Sequence, residues 1–205
     1  MTVDWGLLLP ICVAGYLAGS IPSGVIVSRL AGVDSIMSHG SGNTGATNVL
    51  RVLGPKYAAP VLLMDILKGV LPAYLGLRYL NMGATGALIA GMFSIAGHNW
   101  SVFLKFRGGK GVATTAGVAL VAFPKILAVS VFVFTAAVAL SRYVSLGSLL
   151  GVWAGFACSL LPEFTVSDRL AVFGLAAVVT YKHRSNIQRL ISGKELKLGQ
   201  KGERI

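Results

Sequence analysis

Seven runs of apolar sequence, parted only by short polar stretches, leave this chain very few ways to fold. They cover about Trp5–Leu30, Tyr57–Tyr79, Gly83–Gly97, Val112–Phe123, Ile126–Leu140, Leu146–Leu161 and Leu170–Tyr181. In hydrocarbon no water satisfies backbone N–H and C=O groups, so such runs are read as membrane-spanning helices. Composition agrees: 12% of the residues are charged, 55% are hydrophobic and the mean hydropathy is +0.75, whereas a soluble domain carries about 25% charged residues. The expectation is an all-α membrane protein of about seven transmembrane helices, forming a single domain over residues 1–205. The first run has no basic leader and is too long for a signal-peptide core, so it is expected to be retained. Pro22 should kink it near one end, and Gly15 and Gly19 make a small-xxx-small packing face. The fourth run is short for a span and is expected to begin within the preceding GGKG turn.

The net charge of +11 tests this layout. With the segments after spans one, three, five and seven on one side, that side holds 14 Lys and Arg residues against 3 on the other, Arg78, Lys125 and Arg169. The positive-inside rule then puts the N-terminus outside and the C-terminus in the cytoplasm. The positive charge is matched first to anionic lipid, with no nucleic acid partner expected. Cys12 and Cys158 both lie in apolar runs and suggest small buried hydrophobes, not a disulfide framework or metal site.

On that layout the polar clusters share the cytoplasmic face. Gly40–Arg51, GSGNTGATNVLR, alternates glycine with hydroxyls and amides. Glycine permits tight turns and close approach, successive amides form an anion nest, and Thr47 or Asn48 would cap a following helix. Arg51 would stand one turn in, a fork-shaped cation suited to phosphate. The plainer reading is a Gly/Asn-rich connection. Arg107–Gly111, RGGKG, also resembles a phosphate turn, but GxxxxGK[ST] is absent and nucleotide binding is unsupported. Otherwise it is a basic loop holding anionic lipid. Arg142 and Ser148 suit a lipid anchor and a helix cap equally. His183, Asn186 and Arg189 recur at i, i+3 and i+6, within reach of one face if the segment is helical. Asp65 and Lys68, at i, i+3 in the second span, can pair; the alternatives are a functional intramembrane ion pair and snorkelling to the surface.

Taken in order, GSIPSG (Gly19–Gly24), SGNTGATNVLRVLG (Ser41–Gly54), DILKG (Asp65–Gly69), GHNWSVFLKFRGGKGVATTAG (Gly97–Gly117) and HRSNIQRLISGKE (His183–Glu195) resemble the PlsY family of bacterial acyl-phosphate:glycerol-3-phosphate acyltransferases. The resemblance covers essentially the whole chain. His98–Asn99–Trp100 and the tail after Glu195 read as ordinary variation within it. It implies a multi-pass enzyme of the bacterial inner membrane with its catalytic loops at the cytoplasmic face. A fatty acyl group would pass from acyl phosphate to the 1-hydroxyl of glycerol 3-phosphate, giving lysophosphatidic acid and phosphate, the first step of phospholipid synthesis. No cofactor or metal is implied; membrane lipids are partners, and transient contact with the soluble enzyme that makes acyl phosphate is allowed. By motif position, Ser41, Gly42, Thr47 and Asn48 would hold the donor phosphate. Arg51, Lys110, Gly108, Gly109 and Gly111, with Ser148, would hold glycerol 3-phosphate. His183 and Asn186 would orient the reacting hydroxyl, and Asp65, Lys68 and Glu195 would support the site.

Two phosphorylated substrates need two anion sites, and two glycine-rich loops are present. Ser41 and Thr47 sit among anion-binding groups and both cysteines lie in spans, which favours direct transfer over an acyl-enzyme. Either His183 or the departing phosphate would take the hydroxyl proton, and the absence of a carboxylate dedicated to His183 favours phosphate. No HxxxxD motif of thioester-using acyltransferases occurs. An anion transporter would place its polar groups near the midplane, often with inverted repeats. A lipid-binding structural protein would need neither both loops nor the His/Asn pair.

Overall fold

Lipid forces each segment to satisfy its own backbone, and among the described residues this chain does so with helices alone. The computed structural model describes residues 5–200, so Lys201 and Arg204, counted above on the basic side, lie outside the described residues. Ten α-helices follow in order: α1 (Trp5–Ser20), α2 (Ser23–Leu30), α3 (Ala46–Leu53), α4 (Pro55–Tyr79), α5 (Ala84–Asn99), α6 (Val112–Ala122), α7 (Pro124–Ser141), α8 (Val144–Ser159), α9 (Val166–Lys182) and α10 (Arg184–Ile191).

Each apolar run is helical, but their lengths differ. Trp5–Leu30, Pro55–Tyr79, Ala84–Leu104 and Pro124–Ser141 are long and apolar enough to cross a membrane, so four stretches meet the measure where seven were expected. The 11 residues of α6 rise only about 16 Å at 1.5 Å each, against a hydrocarbon core of about 30 Å. Nor does α6 begin within the glycine turn: it starts at Val112, after Gly111 has turned the chain at φ 77°. Many long apolar side chains point outward, Leu140 being 89% exposed and Phe132 75%, while Ser, Thr, Asn and small residues share the interior with residues such as Ile36 and Leu80. That inversion suits a lipid solvent.

The helices gather into two compact units, one running to Ala122 and the other covering Phe123–Leu198. In the first, the expected kink at Pro22 is a full break between α1 and α2 at Ile21–Pro22. Upstream of it, α1 lies against α5 through its predicted small face. A Cβ on Gly15 would come within 2.9 Å of the Ala90 carbonyl oxygen, and one on Gly19 would collide with that of Ser94. In the second unit α7 packs on α8 and α8 on α9. A reciprocal capping box starts α9: Thr165 Oγ1 accepts from the Asp168 amide at 3.2 Å, and Asp168 Oδ2 accepts from the Thr165 amide at 2.9 Å.

Candidate active site

The loop before α3 is built around one buried amide. Asn48, 1% exposed, accepts from the Ser41 amide at 2.8 Å and from Ser41 Oγ at 3.1 Å through Oδ1. Its Nδ2 donates to the carbonyls of Asn43, His39 and Ile36 at 2.9, 3.0 and 3.2 Å. The side chain therefore shapes the loop backbone from within. Neither Thr47 nor Asn48 caps α3, as the sequence suggested. Gly45 takes the cap in an extended conformation, its amide donating to Asn43 Oδ1 at 2.9 Å, because the Asn43 side chain turns the chain two residues earlier. Thr47 and Asn48 fall in the first turn of α3, and Arg51, half-buried, in its last. Ser41, Gly42 and Thr47 are also half-buried. Gly42 turns the loop at φ 69°, its amide donating to the His39 carbonyl at 3.1 Å.

Beneath this loop lies a buried polar knot. Asp65 Oδ1 accepts from Lys68 Nζ at 2.8 Å and from Ser23 Oγ at 2.9 Å, and Lys68 Nζ also donates to the Ile21 carbonyl at 3.0 Å. The break at Pro22 leaves that carbonyl outside any helix, where it accepts from the Ser23 amide at 3.0 Å and takes the lysine as a second donor. Both side chains are under a tenth exposed, so Lys68 is a buried partner and does not snorkel. His98 Nδ1 stands 3.6 Å from the same Asp65 oxygen. A cavity of about 10 Å³, room for one water, opens among Ser20, Ser23, Thr44, Asp65, Lys68 and His98.

The RGGKG turn rests on the end of α5. The Gly109 amide donates to the His98 carbonyl at 3.0 Å, and a Cβ on Gly109 would collide with His98 Nε2. One on Gly111 would lie 2.8 Å from Asn99 Oδ1. These glycines are needed because the His98 ring and the Asn99 amide occupy the space a side chain would take. His98 and Asn99, read from the sequence as ordinary variation, form the floor of the turn. A histidine directly after a predicted span was the one signal in the sequence that could have found them. Lys105 and Phe106 enter the turn at φ 54° and 60°, a region non-glycine residues avoid. Lys110 is half-buried and Arg107 exposed.

In the second unit a carboxylate is the hub. Glu195 Oε1 accepts from Asn186 Nδ2 at 2.7 Å and Ser145 Oγ at 2.9 Å, and Oε2 accepts from Arg189 Nε at 2.7 Å. Burial pushes this carboxyl up, but the bonds from Asn186, Arg189 and Ser145 outweigh it and hold the group below the ordinary carboxylate range. With Nδ2 committed to Glu195, Oδ1 is the acceptor end of the Asn186 amide. His183 joins α9 to α10, and its Nδ1 lies 2.8 Å from the Val179 carbonyl. A carbonyl only accepts, so Nδ1 carries the proton and the lone pair of the neutral ring sits on Nε2. Ser148 Oγ donates to the Val144 carbonyl at 2.9 Å. Ser145 was not singled out from the sequence, since a serine near a helix start carries no motif of its own.

The family model for glycerol-3-phosphate acyltransferase matches residues 9–193 of this chain. The chain belongs to the glycerol-3-phosphate acyltransferase family. It is 46% identical over 193 residues to the glycerol-3-phosphate acyltransferase of Thermoanaerobacter pseudethanolicus, covering 93% of this chain and 96% of that one. Identity to glycerol-3-phosphate acyltransferase 1 of Deinococcus radiodurans is also 46%, over 91% of this chain and 93% of that one. The crystal structure of PlsY, an integral membrane glycerol 3-phosphate acyltransferase in its glycerol 3-phosphate form, superposes with a TM-score of 0.88 at 36% identity. The match covers 94% of this chain and 96% of that one.

Proposed function

We propose that this protein transfers a fatty acyl group from acyl phosphate to the 1-hydroxyl of glycerol 3-phosphate, releasing lysophosphatidic acid and inorganic phosphate. The observation that carries the reading is the family match over residues 9–193, with a similar protein solved in a glycerol 3-phosphate form. In the first unit, the loop of Ser41, Gly42, Thr47 and Asn48 holds the donor phosphate, Asn48 acting through the loop backbone it shapes. Arg51, Lys110 and the turn of Gly108, Gly109 and Gly111 bind the phosphate of glycerol 3-phosphate. In the second unit, Ser148 binds glycerol 3-phosphate, and His183 and Asn186 orient its reacting hydroxyl, with Glu195 bracing Asn186. Asp65 and Lys68 brace the first unit.

Transfer is direct. The glycerol oxygen attacks the acyl carbonyl carbon, the bond from that carbon to the phosphate oxygen breaks, and the hydroxyl proton leaves with phosphate. Acyl phosphate is already an activated anhydride, so alignment and oxyanion stabilisation suffice. His183 presents Nε2 as an acceptor that orients the hydroxyl. The enzyme works at the cytoplasmic face of the inner membrane, and the soluble producer of acyl phosphate makes transient contact with it.

Purified protein in lipid, given acyl phosphate, should release phosphate only when glycerol 3-phosphate is added. His183→Ala should lose at least about 100-fold in kcat, the scale of a misplaced reacting group, while His183→Gln, which can still orient the hydroxyl, keeps a measurable share. A labelled acyl group trapped on the protein without glycerol 3-phosphate, and competent for onward transfer, would defeat direct transfer. Equal use of an acyl thioester would defeat the donor assignment.

A further inference from the structure

The knot around Asp65 reaches the glycine turn through a single ring. His98 turns Nδ1 toward Asp65 Oδ1, 3.6 Å away, and Nε2 toward the Gly109 backbone, which has no Cβ to obstruct it. The His98 carbonyl takes the Gly109 amide at 3.0 Å, so ring and backbone of one residue both seat the turn. Asp65 is in turn immobilised by Lys68 and Ser23, and Lys68 by the carbonyl at the Pro22 break. His98 and Asp65 are 7% and 4% exposed in their side chains, so bulk solvent screens their contact little. The turn itself is entered through left-handed Lys105 and Phe106, a conformation that persists in non-glycine residues only where surroundings impose it.

We propose that Asp65 and His98 are positioning residues for the anion turn Arg107–Gly111: the carboxylate orients the imidazole, and the imidazole sets the backbone that receives the phosphate of the acceptor substrate. The proposal rests on the reading of this turn as the glycerol 3-phosphate site. Its consequence is selective. Loosening the turn weakens capture of one substrate and leaves donor binding and the chemical step in place.

Asp65→Asn keeps the shape and removes the charge, and His98→Ala removes the ring. Each should raise KM for glycerol 3-phosphate about 10–100-fold, the range for residues that orient a binding group, with kcat within about threefold and donor KM within about twofold. His98→Gln, which restores a polar side chain under Gly109, should recover part of that loss. Combined with Lys110→Ala, Asp65→Asn should cost little beyond Lys110→Ala alone, since both act through the same turn. Amide hydrogen exchange over residues 108–111 reads the same proposal without turnover: it should quicken about tenfold in Asp65→Asn and His98→Ala, while α7–α9 stays as in the parent protein. If the parent protein proved inactive with acyl phosphate and glycerol 3-phosphate, the functional reading would fall and the exchange result would still decide the positioning role. Unchanged exchange over 108–111 in both variants overturns the proposal, as does a parallel rise in KM for both substrates. Should His98→Ala fail to fold, Asp65→Asn carries both readouts.

Discussion

Glu195 shows how one residue organises a site without touching the chemistry assigned to its neighbours. Its carboxylate collects Ser145, Asn186 and Arg189, three donors from α8 and α10. Its folded pKa lies below the unfolded value, so it contributes stability that is complete above about pH 4.3 and is lost as pH falls through the folded value. Glu195→Gln should cost about 1.5–3 kcal/mol near neutrality, the scale of hydrogen bonds to a charged group, and make the fall in Tm below about pH 4.5 shallower than in the parent. Thermal denaturation in detergent across that range measures both; parallel curves would mean the carboxylate titrates normally. Asn48 is the companion case in the first unit. Its residue type and glycine-rich setting suggested an anion site, but the way its amide is divided among Ser41, Ile36, His39 and Asn43 depends on loop geometry that no spacing encodes.

At the scale of the element, contact between helices is set by what is missing from their surfaces. Gly19 lets α1 approach the Ser94 carbonyl of α5, whereas Gly174 in α9 faces open space, with nothing within 4 Å of a Cβ added there. Lipid gives no hydrophobic drive between helices, so close backbone packing must hold them. Gly19→Val should destabilise the fold by about 1–3 kcal/mol or more through overpacking. Gly174→Ala should gain about 0.5–1 kcal/mol from reduced backbone freedom in the unfolded chain. Comparing Tm of the two variants tests the contrast; equal shifts would remove the packing role of Gly19. The Gly15/Gly19 pattern was readable in the sequence, and so was a bend at Pro22, though not that the helix would stop there. The length of α6 was not, because the chain's turn at Gly111 belongs to the floor made by Asn99.

For the whole molecule, the charge bias gives an expected orientation, and contacts inside each unit join segments that it would put on one face. In the second unit Lys125 Nζ meets Glu163 at 2.6 Å, joining the start of α7 to the α8–α9 connection. Arg142, between α7 and α8, exchanges bonds of 2.7 and 2.9 Å with Leu198 in the tail. Those are opposite ends of alternating helices. In the first, Ser101 Oγ donates to the Ser20 carbonyl at 2.6 Å, so the end of α5 lies at the α1–α2 break. With Cys12 and Cys158 replaced, Glu163→Cys should react with an impermeant thiol reagent from outside, and Lys194→Cys only after the inner face is opened. Labelling of both from one side would overturn the arrangement.

Hydropathy, charge bias and ordered motifs determined by themselves that this is a helical membrane protein of the acyltransferase family, because those signals are additive along the chain. They also named Asp65, Lys68, Asn186 and Glu195 as residues worth watching. Only the tertiary structure decided that Lys68 answers the broken backbone at Ile21, that Glu195 gathers Ser145 with Asn186, and that His98 lies beneath Gly109. The physical reason is that a buried polar group is defined by its partners. Those partners are brought together across helices by packing, and no local spacing records which carbonyl or carboxylate will be there.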